Sequence, residues 1–76
     1  MLSFAKKGKF MNLIVNGEDV VAKDGITLLE FLQSRNIEEK VMAAAVNMDI
    51  VKQTQWGDFE LKDGDKLELL DFVGGG

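Results

Sequence analysis

Ile26-Thr27-Leu28-Leu29-Glu30-Phe31-Leu32 carries the strongest local signal in the chain. Thr27 is a good N-cap residue and Glu30 stands three positions later, the spacing at which each side chain can bond the other's backbone N–H in a capping box. Ile26 before the cap and Phe31 at the fourth helical position can close a hydrophobic staple over it. Leu28, Leu29, Phe31 and Leu32 give a helix of about two turns one broad apolar face. Asn36 suits the left-handed position after the helix, with Ile37 as the apolar contact beyond it. One short helix with one apolar face must bury that face against another layer.

The flanking segments read as strands. Met11 to Val15 is the first, Asn16-Gly17 is the favoured pair for a type I′ hairpin turn, and Asp19 to Lys23 returns with Val20 and Val21 in it. Asp24-Gly25 turns the chain into the helix. Beyond the helix, Val41 to Asn47 is an alanine-rich third strand, Asn47-Met48-Asp49 turns, and Ile50-Val51 pairs back as a short strand. Gln53 to Asp58 reads as irregular, with Trp56 as a core plug joined by Phe59 and Leu61. Met42 and Met48 read as filler or chance rather than as a binding surface. Asp63 and Asp65 shape a turn around Gly64 and are read neither as a catalytic pair nor as a metal site. Lys66 to Phe72 is the last strand, with Leu67 and Leu69 alternating against Lys66 and Glu68. This order predicts an α+β β-grasp fold: a mixed sheet of four to five strands packed on one helix, the last strand parallel to the first.

The chain has 76 residues, enough for one small domain, and a core of that size is marginal without added support. It has no Cys and no His, which rules out disulfides and a thiol nucleophile and argues against zinc or iron–sulfur sites. No side chain has an ordinary pKa near neutrality, so a self-contained enzyme is disfavoured. No metal and no cofactor of its own is expected. The formal net charge is −4. Lys6, Lys7 and Lys9 lie in the first ten residues, and the remainder carries six basic and thirteen acidic side chains, a net of −7. Such a surface suits solubility and a basic protein partner, and suits nucleic acid poorly. No apolar run is long enough to span a membrane, and residues 1–10 lack the apolar segment of a signal peptide. The expected organisation is a leader over 1–10, disordered or non-native, a β-grasp domain over 11–73 and a flexible glycine tail over 74–76. With no export signal and no Cys, a cytoplasmic location is expected.

The chain closes Asp71-Phe72-Val73-Gly74-Gly75-Gly76. Without a Cβ, glycine can lie extended in a slot too narrow for any other residue, and the last atoms are an α-carboxylate. Such an end fits insertion into another protein's active site. Taken alone, it equally fits a frayed terminus.

Taken together, these pieces resemble the bacterial ThiS family, the sulfur carrier proteins of thiazole (thiamin) biosynthesis. The likeness runs from Met11 to Gly76. It rests on Leu13-Ile14-Val15-Asn16-Gly17, on Thr27 to Leu32, on Val46-Asn47, Ile50-Val51 and the single Trp56, on Asp63-Gly64-Asp65, and on the terminal Gly75-Gly76. The chain departs from the family pattern at Met48-Asp49, where a glycine or short polar turn is usual, and at Lys52-Gln53, where a Pro-Arg-like pair is common. The related small subunit of molybdopterin synthase shares the fold and the Gly-Gly end but tends to have a longer helical segment before the third strand. Here only Ile37 to Lys40 separate helix from strand, which favours the thiazole carrier.

The resemblance implies a ubiquitin-like fold and a protein co-substrate rather than an enzyme. The Gly76 carboxylate would be adenylated by an E1-like enzyme of ThiF type using MgATP. It would then be converted to a thiocarboxylate with sulfur from a cysteine desulfurase or another donor, and consumed by a thiazole synthase of ThiG type. Gly74 and Gly75 would provide the side-chain-free approach, and Phe72 and Val73 would touch the mouth of the partner's channel. Three alternatives stay open: a molybdopterin-synthase carrier, a ubiquitin-like modifier joined to lysines, and a binding module with no chemistry at its end.

Overall fold

The computed structural model describes residues 9–71. Five strands and one α-helix follow in the order β1 (Phe10–Val15), β2 (Glu18–Lys23), α1 (Leu28–Ser34), β3 (Val41–Val46), β4 (Asp49–Val51) and β5 (Lys66–Asp71). The sheet order is β2-β1-β5-β3-β4. β5 runs parallel to β1 and antiparallel to β3, and the other neighbours are antiparallel. This is the expected α+β β-grasp arrangement, with five strands.

The helix begins as its sequence dictates. Thr27 Oγ1 accepts the Glu30 N–H at 3.1 Å, and Glu30 Oε1 accepts the Thr27 N–H at 3.0 Å. The entry is also pinned from outside: the Leu28 N–H donates to the Phe59 carbonyl and the Leu61 N–H to the Ile26 carbonyl. At the other end Asn36 is left-handed, with φ +58. Its N–H reaches the Gln33 carbonyl while the Ile37 N–H reaches that of Leu32. This pair of bonds is a Schellman ending, which satisfies carbonyls the helix would otherwise strand.

Leu28, Phe31 and Leu32 bury against the inner face of the sheet, where Met11, Leu13, Ala44, Val46, Val51 and Leu67 meet them. Trp56 completes the core at 1% exposure, and its indole N–H donates to the Val51 carbonyl at 3.0 Å. The core plug expected at Trp56 is therefore present, with its one polar atom satisfied.

Four expectations need correction. β1 starts at Phe10, which pairs with Lys23, and the Lys9 carbonyl accepts the Asp24 N–H. The sheet therefore takes in the end of the segment read as a leader. Gln53–Asp58 is a run of 3-10 helix, not irregular chain, and a second such turn spans Glu38–Lys40. The β3–β4 connection is a two-residue turn, with Asn47 and Met48 both at positive φ and Asp49 already in the strand. Met42 and Met48 are exposed, so neither fills the core. Residues 1–8 of the leader lie outside the described residues.

Candidate functional site

Gly74, Gly75 and Gly76, the expected reactive end, and Phe72 and Val73 beside it lie outside the described residues. The structure does describe their root. β5 is the middle strand of five, bonded to a neighbour on either side. Two hairpin asparagines clamp it further. Asn16, at φ +50 in the β1–β2 turn, accepts the Leu69 N–H on its side-chain oxygen at 2.8 Å. Asn47, at φ +54 in the β3–β4 turn, accepts the Lys66 N–H at 3.0 Å and donates to Asp65 at 2.9 Å. Asparagine suits both positions because it tolerates the left-handed region and carries a donor and an acceptor. The root of the tail is therefore held at both ends of its strand.

Asp63 and Asp65 act as the sequence suggested. Asp63 accepts the Asn12 N–H, and Asp65 accepts the Lys62 N–H and the Asn47 amide. Their oxygens are engaged in shaping the approach to β5. No group of three or more potential metal ligands occurs among the described residues. Nor is any helix of the described residues long and apolar enough to cross a membrane.

The sheet face away from the helix offers a feature that the sequence reading missed. Ile50, Ala45 and Glu68 lie in one cross-strand row, and Ala43 pairs with Leu70 in the next. Ile50 is 72% exposed and Leu70 60%. With the alanines they line an open groove of about 310 Å³. An irregularity in the β3–β5 pairing sets Met42 out of register beside it. The signal lay in β5 itself: Lys66 and Glu68 mark its outward side, and Leu70 is next in that phase. A lone exposed leucine is ordinary; an apolar set directly at the root of the tail is more informative.

Comparison with known proteins bears on this geometry. The model of the ThiS family matches residues 8–76. A thiazole synthase of Paramagnetospirillum magneticum is 32% identical over 66 residues, which cover 87% of this chain and 20% of that protein. The chain thus spans about a fifth of that longer relative. The sulfur carrier protein ThiS of Bacillus subtilis is 37% identical over 65 residues, covering 84% of this chain and 98% of that protein. The crystal structure of the thiamine biosynthesis protein ThiS from Geobacter metallireducens matches with a TM-score of 0.73 at 30% identity, over 87% of this chain and 100% of that one.

Proposed function

The chain belongs to the ThiS family of sulfur carrier proteins of thiamin biosynthesis, and from that premise we propose that Gly76 carries the sulfur on its terminal carboxylate. The observation that carries the reading is the junction of an apolar outer face with a rigidly rooted strand that leads into Gly74-Gly75-Gly76.

The chemistry follows from the weakness of a carboxylate as an electrophile. An E1-like partner brings MgATP. The Gly76 carboxylate attacks the α-phosphorus, pyrophosphate leaves, and an acyl adenylate forms. The partner's cations and metal stabilise charge on the phosphates. Hydrosulfide from a sulfide donor then attacks the acyl carbon and displaces AMP. Where a cysteine desulfurase supplies the sulfur as a persulfide, the terminal persulfide sulfur attacks, AMP leaves, and a second thiol reduces the resulting acyl disulfide, releasing the thiocarboxylate and a disulfide. The product is a thiocarboxylate. This chain supplies the acyl carbon and a stem thin enough to reach it: Gly75 and Gly74 present no side chain, and Phe72 and Val73 sit at the channel mouth.

The consumer in this reading is a thiazole synthase. Its support is the stretch resembling this chain within a protein named thiazole synthase. The groove between Ile50 and Leu70 is the surface on which a partner presses while it holds the tail.

Intact mass after thiol alkylation tests the proposal. The chain is incubated with a ThiF-type enzyme, MgATP and a sulfur source. It has no Cys, so an alkylated adduct must sit on a new thiocarboxylate. Alkylation is needed because exchanging oxygen for sulfur changes the mass nearly as much as oxidising one of the four Met residues does. An ATP-dependent adduct at Gly76 is expected. Its absence, with an intact terminus and an enzyme proven on its own carrier, would overturn the reading.

A further inference from the structure

β2 is an edge strand. It pairs with β1 on one side, and among the described residues no strand lies on the other. The turn after it shows which of its main-chain groups face outward. The Asp24 N–H donates to the Lys9 carbonyl, one step beyond the Phe10–Lys23 pair. In the alternation of an antiparallel ladder, Ala22, Val20 and Glu18 therefore bond β1 as well. The main-chain groups of Asp19, Val21 and Lys23 point away from the sheet. We propose that this edge pairs with the same edge of a second copy of the chain, β2 against β2 antiparallel, with Val21 opposite Val21 on a two-fold axis.

Charge selects the second copy and fixes the register. With Val21 on the axis, Asp19 stands opposite Lys23 of the second copy, and the symmetry repeats that pair. Moving the axis one residue either way sets Asp19 or Lys23 against Val21. Moving it two sets Asp19 against Asp19 or Lys23 against Lys23. Charges on an edge strand ordinarily guard it against pairing; in this one register they attract. Asp19, Val21 and Lys23 are all exposed, Val21 by 64%.

Apolar surface and backbone agree. On the helix side Val20 meets Ala22 of the second copy. Ala22 is buried and Val20 is partly open against the core, so pairing joins the rims of two cores. The Val21 N–H bonds the facing Val21 carbonyl in both directions, and the Lys23 N–H bonds the facing Asp19 carbonyl in both directions. Two features keep the dimer weak. The Lys23 carbonyl already accepts the Ile26 N–H at 3.2 Å, and Glu18 faces Asp24 of the second copy just past each end of the ladder. The product is one continuous sheet with both helices on the same side. β5 and the outer groove stay uncovered, and the two β5 strands point in opposite directions. Nothing in this pairing rests on the sulfur-carrier reading.

Sedimentation equilibrium and nuclear magnetic resonance of the full chain, carried to millimolar concentration, test it. The chain should self-associate. The amide signals of Asp19, Val21 and Lys23 should move with concentration, and those of Ile50 and Leu70 should not. In a mixture of labelled and unlabelled chain, an isotope-filtered NOE should join the Hα atoms of Val20 and Ala22, which lie roughly 6.8 Å apart within one strand. Asp19→Lys and Lys23→Glu each set like charges at both symmetric pairs and should weaken association about tenfold. The double variant, and an equimolar mixture of the two single variants, should recover it. Asp19→Lys also brings the net charge of −4 nearer zero, so tighter association of that variant would mean that bulk repulsion governs and would overturn the pairing. So would a monomer at every concentration, association that moves Ile50 and Leu70 instead, or a double variant no tighter than the single ones.

Discussion

Replacing Met48 by glycine should make the protein more stable. Met48 is the second residue of the β3–β4 turn and sits at φ +75. For an L-residue with a Cβ, the left-handed region costs about 1–2 kcal/mol; for glycine it costs almost nothing. The Met48 side chain is 82% exposed, so removing it forfeits little burial. Against the gain stands the greater freedom of glycine in the unfolded chain, about 0.5–1 kcal/mol. The difference is a net stabilisation of up to about 1.5 kcal/mol, centred on about 0.75 kcal/mol, which in a domain of this size raises Tm by about 3–6 °C at the centre of that range. Thermal melts and urea unfolding measure it, with an unchanged urea slope showing that the unfolded state is the same. Met48→Ala is the control, since it removes the side chain and keeps the Cβ; it should sit close to the parent. A lower Tm for the glycine variant, or an alanine variant raised as much as it, would refute backbone strain as the cause.

Thr27→Ala should cost about 1 kcal/mol through loss of the helix cap, seen as a Tm lower by about 4–8 °C. Leu70→Asp should leave stability within about 0.5 kcal/mol, as for other exposed sites. It should weaken activation by the E1-like partner about tenfold, a loss near 1.4 kcal/mol, read as a raised KM for the carrier. Removing Gly75 and Gly76 should abolish the alkylatable adduct and leave the melting curve in place; a marked loss of stability would show that the tail is part of the fold.

The fold was legible because its signals are local or strictly periodic. The capping box at Thr27 and Glu30, the Asn16-Gly17 turn and the alternation at Leu67 and Leu69 each fix a backbone choice within a few residues. The 3-10 run at Gln53–Asp58 was not, since it carries neither helix nor strand period and is held by tertiary packing around Trp56. The turn at Asn47-Met48 misled because methionine is a poor residue for positive φ; cross-strand pairing and the Asn47 clamp on β5 impose that geometry. The glycine end was visible as composition alone. The outer face was not visible, because Ile50, Ala45 and Leu70 come from three strands and meet only through the register of the sheet.

That face is what a glycine tail requires. Ordering five residues in a partner's channel costs about 1–2 kcal/mol each in backbone entropy, and glycine stands at the upper end of that range. Glycines return almost no apolar burial, so the tail alone cannot hold the complex together. The missing affinity must come from the body, at a place fixed relative to the tail. β5 meets that condition as the middle strand of the sheet, clamped by Asn16 and Asn47, with Leu70 on the strand itself and Ile50 one strand beyond β3. A modest apolar set suits a carrier better than a large one. In the cycle proposed above it binds the activating enzyme, leaves with its sulfur and binds the acceptor, so an interface strong enough to be permanent would stop that cycle at its first partner. Rigid body, small apolar face and bare tail thus divide the work: the first fixes the geometry, the second supplies reversible affinity, and the third reaches the chemistry.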